Sequence, residues 1–231
     1  PKAEKKQPAP QKAAPVKKEE APAEEKKAVE TVKTAINTDE SESLKAAAAY
    51  LKEILSSKRY QHSLNVAAEC KKLAEKYGED SEKAYFAGLL HDVCKELEPE
   101  EQQRLIAESG FAVCREELET RSLWHAVAGA YFVKNIFGVE DIDIINSIRF
   151  HTVGRAGMSR LEEIVYLGDL VSADRTYKDV DKMRKLVYSN LDAAMLEGFV
   201  FSIKSVVKKG GLVPPCTIDG YNFYTRLLKT K

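Results

Sequence analysis

From Ser43 onward apolar residues recur three and four positions apart, the spacing of an amphipathic helix, while strict two-residue alternation is nearly absent. Ser43 is a fitting N-cap for the run LKAAAAYLKEIL. The pattern then predicts helices over about 58–77, 81–95, 99–109, 115–137, 141–150, 159–190, 191–208 and 219–228, with 159–190 and 191–208 each open to being two shorter pieces. Glycines at 78, 110, 138, 154 and 157, and the stretch from Gly210 to Pro215, punctuate the series. The expected fold is all-α, one helical bundle over 43–231 with no internal repeat.

The first forty or so residues follow a different rule. From Pro1 to about Ser41 there is no glycine, cysteine or aromatic residue, and five of the eight prolines fall here among alternating Lys and Glu blocks. So little apolar surface cannot offset the entropy of ordering the chain. Residues 1–42 are therefore expected to be disordered, either as an extended tether between domains or as a solubilising tail.

Composition adds exclusions. Lys+Arg and Asp+Glu both number 36, so no bulk charge marks a nucleic-acid or membrane-surface binder. No apolar run approaches the roughly 20 residues needed to span a bilayer. The four cysteines (Cys70, Cys94, Cys114, Cys216) lack C-x-x-C spacing and are read as reduced thiols of a cytoplasmic protein.

The candidate chemistry centres on AGLLHDVCKE at 87–96. His91 and Asp92 sit side by side in an apolar run, where an unpaired charge is costly and a metal ion is one available partner. The other three histidines also fall on apolar helical faces: His62 with Val66 and Leu73, His125 with Leu118, Gly129 and Phe132, His151 with Ile144 and Ile148. Asp169 shares a face with Val165 and Ala173 and completes a set of six candidate ligands. Singly, each has a plain alternative as a hydrogen-bonded core residue, and Asp169 as a salt-bridge partner of Arg175 or Arg149. Jointly, every histidine in the chain would need its own unrelated reason to be buried.

In this order and on helices, His62, His91-Asp92, His125, His151 and Asp169 resemble the ligand series of the HD-domain metal-dependent phosphohydrolases. The wording RYQHSLNVA at 59–67, AGLLHDVCKEL at 87–97, LWHAVAGA at 123–130 and IRFHTVGRAGMSRLEEIVYLGDLVSADR at 148–175 is similar to the YqeK-like branch. The resemblance implies an HD-type helical domain that hydrolyses diadenosine tetraphosphate symmetrically to two ADP at a di-iron centre. By position it implies His62, His91 and Asp169 on one metal, His125 and His151 on the other, and Asp92 bridging. The chain departs from the pattern after Asp169, reading LVSADR where K-I-E-P-x-R is expected, so that Leu170 replaces a lysine.

The donor types support the same chemistry. Two cations about 4 Å apart can generate a bridging hydroxide and relieve charge on a transferring phosphoryl group. Four imidazoles and two carboxylates suit iron, manganese or related divalent ions and disfavour magnesium or calcium; the resemblance points to iron, with manganese as the alternative. Asp92 and Lys95 are the expected catalytic residues, while Arg59, Lys95, Thr152, Gly154, Arg155 and Arg175 are expected to meet the polyphosphate. Tyr166 or Phe150 is a candidate stacking ring for adenine beside the plainer reading as core, and Met158 is read as packing. Two alternatives stay open: an HD phosphohydrolase of monophosphates, guanosine polyphosphates or cyclic dinucleotides, and a non-catalytic metal-bound nucleotide sensor. A small-molecule nucleotide is the expected partner, and the N-terminal segment is compatible with a tethered or fused adenylyltransferase domain.

Overall fold

The computed structural model describes residues 23–36 and 40–230, and among these the backbone is helical with no strand. Helices α1 (Ala23–Ile36) and α2 (Glu40–Ile54) lead into α3 (Ser57–Tyr77) and α4 (Ser81–Leu90). Then follow α5 (Pro99–Ser109), the short α6 (Arg115–Glu119), α7 (Trp124–Tyr131) and α8 (Ile142–Phe150). The chain closes with α9 (Arg160–Val171), α10 (Val180–Ser189), α11 (Leu191–Lys208) and α12 (Pro215–Lys229).

Caps fix several of these ends. The Asp80 carboxylate accepts from the backbone of Glu82 and Lys83 to start α4, and Asp141 does the same for α8. Ser159 and Glu162 form a reciprocal capping box at α9. Gly78 ends α3 in the left-handed region at φ 73°.

The core is organised around α3, α4 and α9. Their contact is tight because Gly88 of α4 and Gly168 of α9 both face the sulfur of Cys70: an added Cβ would lie 2.8 Å and 2.6 Å from Sγ. His91 comes three residues after Gly88, and Asp169 one after Gly168. The close approach of the backbones therefore also brings these two candidate ligands towards His62 on α3. At the far side Phe199 of α11 lies between the rings of Tyr166 and Tyr224, with centroids 5.4 Å and 5.7 Å away.

Four expectations are corrected. The segment Ala23–Ile36, read as disordered, forms α1, which buries Val32 and Ala35. Composition averaged over 1–42 hid the change at Pro22, the last proline before Pro99, after which Ala28, Val29, Val32 and Ala35 keep helical spacing. Residues 1–22 lie outside those described. The helix expected to reach Lys95 stops at Leu90, and the segment 115–137 breaks into α6, a 3-10 turn at Arg121–Leu123, α7 and a π-helical turn at Phe132–Ile136, whereas 159–190 divides into α9 and α10, the two-piece form its pattern left open. The last helix starts at Pro215 rather than Asp219, because proline at the first helical position costs no hydrogen bond.

Candidate metal centre

Several of the candidate ligands are presented by local turns and hydrogen bonds. After Leu90 the chain turns tightly, with Val93 N–H donating to Leu90 C=O at 3.0 Å and Lys95 N–H to Asp92 C=O at 2.9 Å. Residues three apart eclipse in such turns, so Asp92 and Lys95 share a side. His91 donates from Nδ1 to Gly88 C=O at 2.7 Å, and His151, just past α8, donates from Nδ1 to Ile148 C=O at 2.8 Å. His62 Nδ1 is 2.8 Å from Asp174 Oδ2. In all three rings the proton is thereby placed on Nδ1 and the lone pair of Nε2 is free to ligate.

These lone pairs converge on two carboxylates. Asp92 Oδ2 lies 3.4 Å from His91 Nε2 and 3.9 Å from His62 Nε2. Its other oxygen, Oδ1, lies 3.2 Å from His125 Nε2 and 3.6 Å from His151 Nε2. Asp169 Oδ1 is 3.1 Å from His62 Nε2 and 4.0 Å from His91 Nε2. The donor atoms form two overlapping triplets, His62–His91–Asp92 and Asp92–His125–His151, each within 4.8 Å and joined through Asp92.

Whether the residues fit a cation is decided by their unmet valence. His62 Nε2 and His91 Nε2 are buried without a hydrogen-bond partner. His125 Nε2 and His151 Nε2 face each other at 3.1 Å, two nitrogens that cannot both keep a lone pair there without a proton or a cation between them. The donor set fits a divalent cation.

The electrostatics agree. Burial alone would raise Asp92, but His91 and the hydrogen bonds of His125 and His151 hold it well below the ordinary carboxylate range. Asp169 is likewise depressed, burial being outweighed by His62, His91 and Arg175. Burial pushes His125 down to about 4 and lowers His151. His91 is raised despite its burial, through Asp92.

The expected substrate contacts divide into two groups. Arg59 Nη1 is 2.8 Å from Asp92 Oδ2, and Arg175 pairs with Asp169. Together with Lys58, His62 and Asp174 they line a cavity of about 460 Å³. Lys95 Nζ sits 3.1 Å from His125 Nε2, and with Arg121, Ser122 and His125 it lines a second cavity of about 600 Å³. Burial lowers the Lys95 pKa. Arg155 is engaged elsewhere: its guanidinium grips the fully buried Glu162 and lies 5.1 Å from the centre of the Phe150 ring. Gly154, at φ 62°, is required by packing, since a Cβ would fall 2.5 Å from Phe199. The Thr152 hydroxyl is buried and makes no hydrogen bond.

Tyr166 is core, the plainer of its two readings, with its hydroxyl 3.0 Å from Ser202 Oγ, and Phe150 lies against Arg149 and Arg155. Arg149 pairs with buried Glu117 at 2.6 Å rather than with Asp169. Leu118 is 48% exposed and does not share the face of His125, because α6 ends at Glu119. Met158 packs as expected.

Sequence periodicity missed Asp174, which accepts from Asn65 Nδ2 at 3.1 Å and from Ser172 at 3.0 Å while holding His62. It also missed Glu96, which accepts from the Ser56 backbone at 2.6 Å and so ties the HD turn to the start of α3. Both act from outside regular helix, where face arguments have no purchase; for Asp174, the changed wording LVSADR was the available signal.

Comparison with known proteins bears on this geometry directly. The HD domain family matches residues 59–174, which span every residue of both triplets. This chain belongs to the HD-domain family. Among HD-domain relatives, the symmetrical bis(5'-nucleosyl)-tetraphosphatase of Bacillus subtilis is 36% identical over 183 residues, covering 77% of this chain and 95% of that protein. A crystal structure of a predicted HD superfamily hydrolase involved in NAD metabolism from Clostridium acetobutylicum superposes with a TM-score of 0.76 at 37% identity, covering 81% of this chain and 98% of that one. A probable nicotinate-nucleotide adenylyltransferase/Ap4A hydrolase of Mycoplasma genitalium is 37% identical over 152 residues, 63% of this chain and 43% of that protein.

Proposed function

We propose that this HD-domain chain hydrolyses dinucleoside polyphosphates symmetrically, diadenosine tetraphosphate to two ADP, with two divalent cations held by His62, His91 and Asp169 on one side and His125 and His151 on the other. The observation that carries the reading is Asp92, whose Oδ2 faces the first histidine pair and whose Oδ1 faces the second. Bound there, the cations would supply a nucleophile from water at neutral pH and offset charge on the transferring phosphoryl group. The mixed imidazole and carboxylate donors are compatible with iron or manganese, and the family resemblance favours iron. The name of the Bacillus subtilis relative supports the substrate class.

Arg59 and Arg175 line one cavity beside the ligands and Lys95 and Arg121 another, so a polyphosphate at Asp92 would meet cations from both. Lys95, tucked against His125, is the donor nearest the second triplet and neutralises phosphoryl oxygens there. Thr152 borders the same region, whereas Arg155 serves through Glu162. The four free cysteines suit a cytoplasmic setting. Among the described residues no helix is long and apolar enough to cross a membrane. The Mycoplasma protein's name is compatible with an adenylyltransferase domain tethered or fused through the N-terminal segment, residues 1–42.

The test is product analysis. Purified chain loaded with Fe(II) or Mn(II) should convert diadenosine tetraphosphate to ADP alone. Appearance of ATP with AMP would contradict the symmetrical assignment.

A further inference from the structure

The segment that follows α9 carries two residues that act on the candidate ligands. Asp174 Oδ2 holds His62 Nδ1 at 2.8 Å, and Arg175 pairs with Asp169. The end of a helix leaves carbonyl groups without intrahelical partners, and they must be met from elsewhere. Here one side chain from the next helix meets them. Arg184 of α10 donates from Nε to Val171 C=O at 3.0 Å, and from Nη2 to Ser172 C=O and Arg175 C=O, both at 2.9 Å. Its Nη1 donates to Asp181 Oδ1 on the same helix, also at 2.9 Å, which fixes the plane of the guanidinium. Carbonyls from both ends of the segment are thus gripped by one rigid fork, an arrangement that the point charge of a lysine cannot reproduce.

Bonds inside the segment carry that grip to the two side chains. Arg175 N–H donates to Ser172 C=O at 3.0 Å and Arg175 Nε to Asp169 C=O at 2.8 Å, while Ser172 Oγ donates to Asp174 Oδ1 at 3.0 Å. Ser172 and Arg175 are both held through their carbonyls from the α10 side, and Asp174 lies between them in the chain. We infer, resting on the proposed cation binding, that Arg184 is a positioning residue for the metal centre. It sets the Ser172–Arg175 backbone, and through that backbone the Asp174 carboxylate on His62 and the Arg175 guanidinium on Asp169. None of its hydrogen bonds goes to a candidate ligand, so it acts only through the segment. Arg184 lies outside residues 59–174, the stretch that the HD family covers. In the helical pattern it reads as one more solvent-facing cation beside Lys182 and Lys185, yet its side chain is only 30% exposed.

Arg184→Ala tests this on the full chain, with Met183→Ala as the comparison. Met183 is buried on the same helix and its side chain has no donor for a carbonyl, so truncating it lowers Tm while the Arg184 grip stays in place. Equilibrium dialysis should show Mn(II) bound about tenfold more weakly by Arg184→Ala and with parental affinity by Met183→Ala. In the metal-free chain in weakly alkaline buffer, the ring-nitrogen NMR signals of His62 should show one tautomer, protonated at Nδ1, in the parent and in Met183→Ala, and a mixture in Arg184→Ala. Arg184→Lys keeps a cation at the end of α9 and should regain most of the Tm yet bind Mn(II) about threefold more weakly than the parent, which keeps the test decisive if the alanine variant does not fold. A folded Arg184→Ala chain with parental affinity or a single His62 tautomer would overturn the positioning role. Equal losses in Met183→Ala, or parental affinity in Arg184→Lys, would overturn it as well. A parent that binds Mn(II) and shows these differences from its variants, yet leaves diadenosine tetraphosphate intact, would refute the proposed hydrolysis while the role of Arg184 stands.

Discussion

Asp174 Oδ2 stands 2.8 Å from Nδ1 of His62, while Nε2 of the same ring points at Asp169 Oδ1 from 3.1 Å. One carboxylate sets the tautomer and the other sits where a shared cation would be ligated. Asn65 and Ser172 in turn fix Asp174, so the ring cannot turn without breaking several bonds. Asp174→Asn should therefore weaken metal binding by about 10–100-fold, the usual effect of losing an outer partner of a ligating histidine. Equilibrium dialysis with metal analysis reads this directly. Unchanged affinity in a folded variant would show that His62 is oriented by other means.

Asp92 is a different case, because both its oxygens are engaged. Asparagine offers one acceptor and turns a donor towards the second pair of histidines. Asp92→Asn should therefore lose more activity than the roughly 10–100-fold of an outer-partner change, and should lower the bound metal. Metal stoichiometry and initial rates, measured on the same preparation, check it. A variant that keeps full metal content and rate would remove the bridging role.

The packing that gathers the ligands also makes a stability prediction. Gly168→Ala would put a methyl group 2.6 Å from the Cys70 sulfur, in a helix contact with nowhere to yield. Overpacking of this kind costs about 1–3 kcal/mol. Thermal unfolding should register it as a drop of several degrees in Tm. Cys70→Ala introduced into the same chain should recover part of the loss, since the two substitutions share one contact and are not additive. Equal, additive losses would place the strain elsewhere.

How much of this was legible in the sequence follows from where each residue lies. The histidines and Asp169 were readable because each sits on, or one residue beyond, a helix whose apolar face already pointed inward. The turn at 91–97 was not, because Leu89, Leu90 and Val93 continue a helical pattern while the tight turns that end α4 depend on backbone contacts the pattern does not carry. Arg155 looked free in sequence because its partner Glu162 lies seven residues on, across the turn into α9, and nothing in the helical pattern links the two. Helix α1 was lost to averaging across Pro22.

The buried histidines give the metal-free chain an acid-side weakness. His125 falls from an ordinary 6.5 to about 4 on folding, because burial disfavours its charged form, and His151 moves the same way. Between pH 6.5 and about 4 the unfolded chain therefore binds protons that the folded chain does not, and stability falls as pH falls through that window. His91 has the opposite sign: raised by Asp92, it contributes fully below its ordinary value and loses that contribution as pH climbs through its raised one. Asp92 and Asp169, both depressed, contribute above the ordinary carboxylate range and yield only in stronger acid. Thermal melts in a chelator should show Tm decreasing from pH 6.5 towards pH 4.5, with a shallower slope in His125→Gln. With metal bound the slope should steepen, because each coordinating imidazole must stay neutral and protons compete for it. A metal-free Tm that is flat or rising on acidification would mean that the imidazoles are not desolvated by this core.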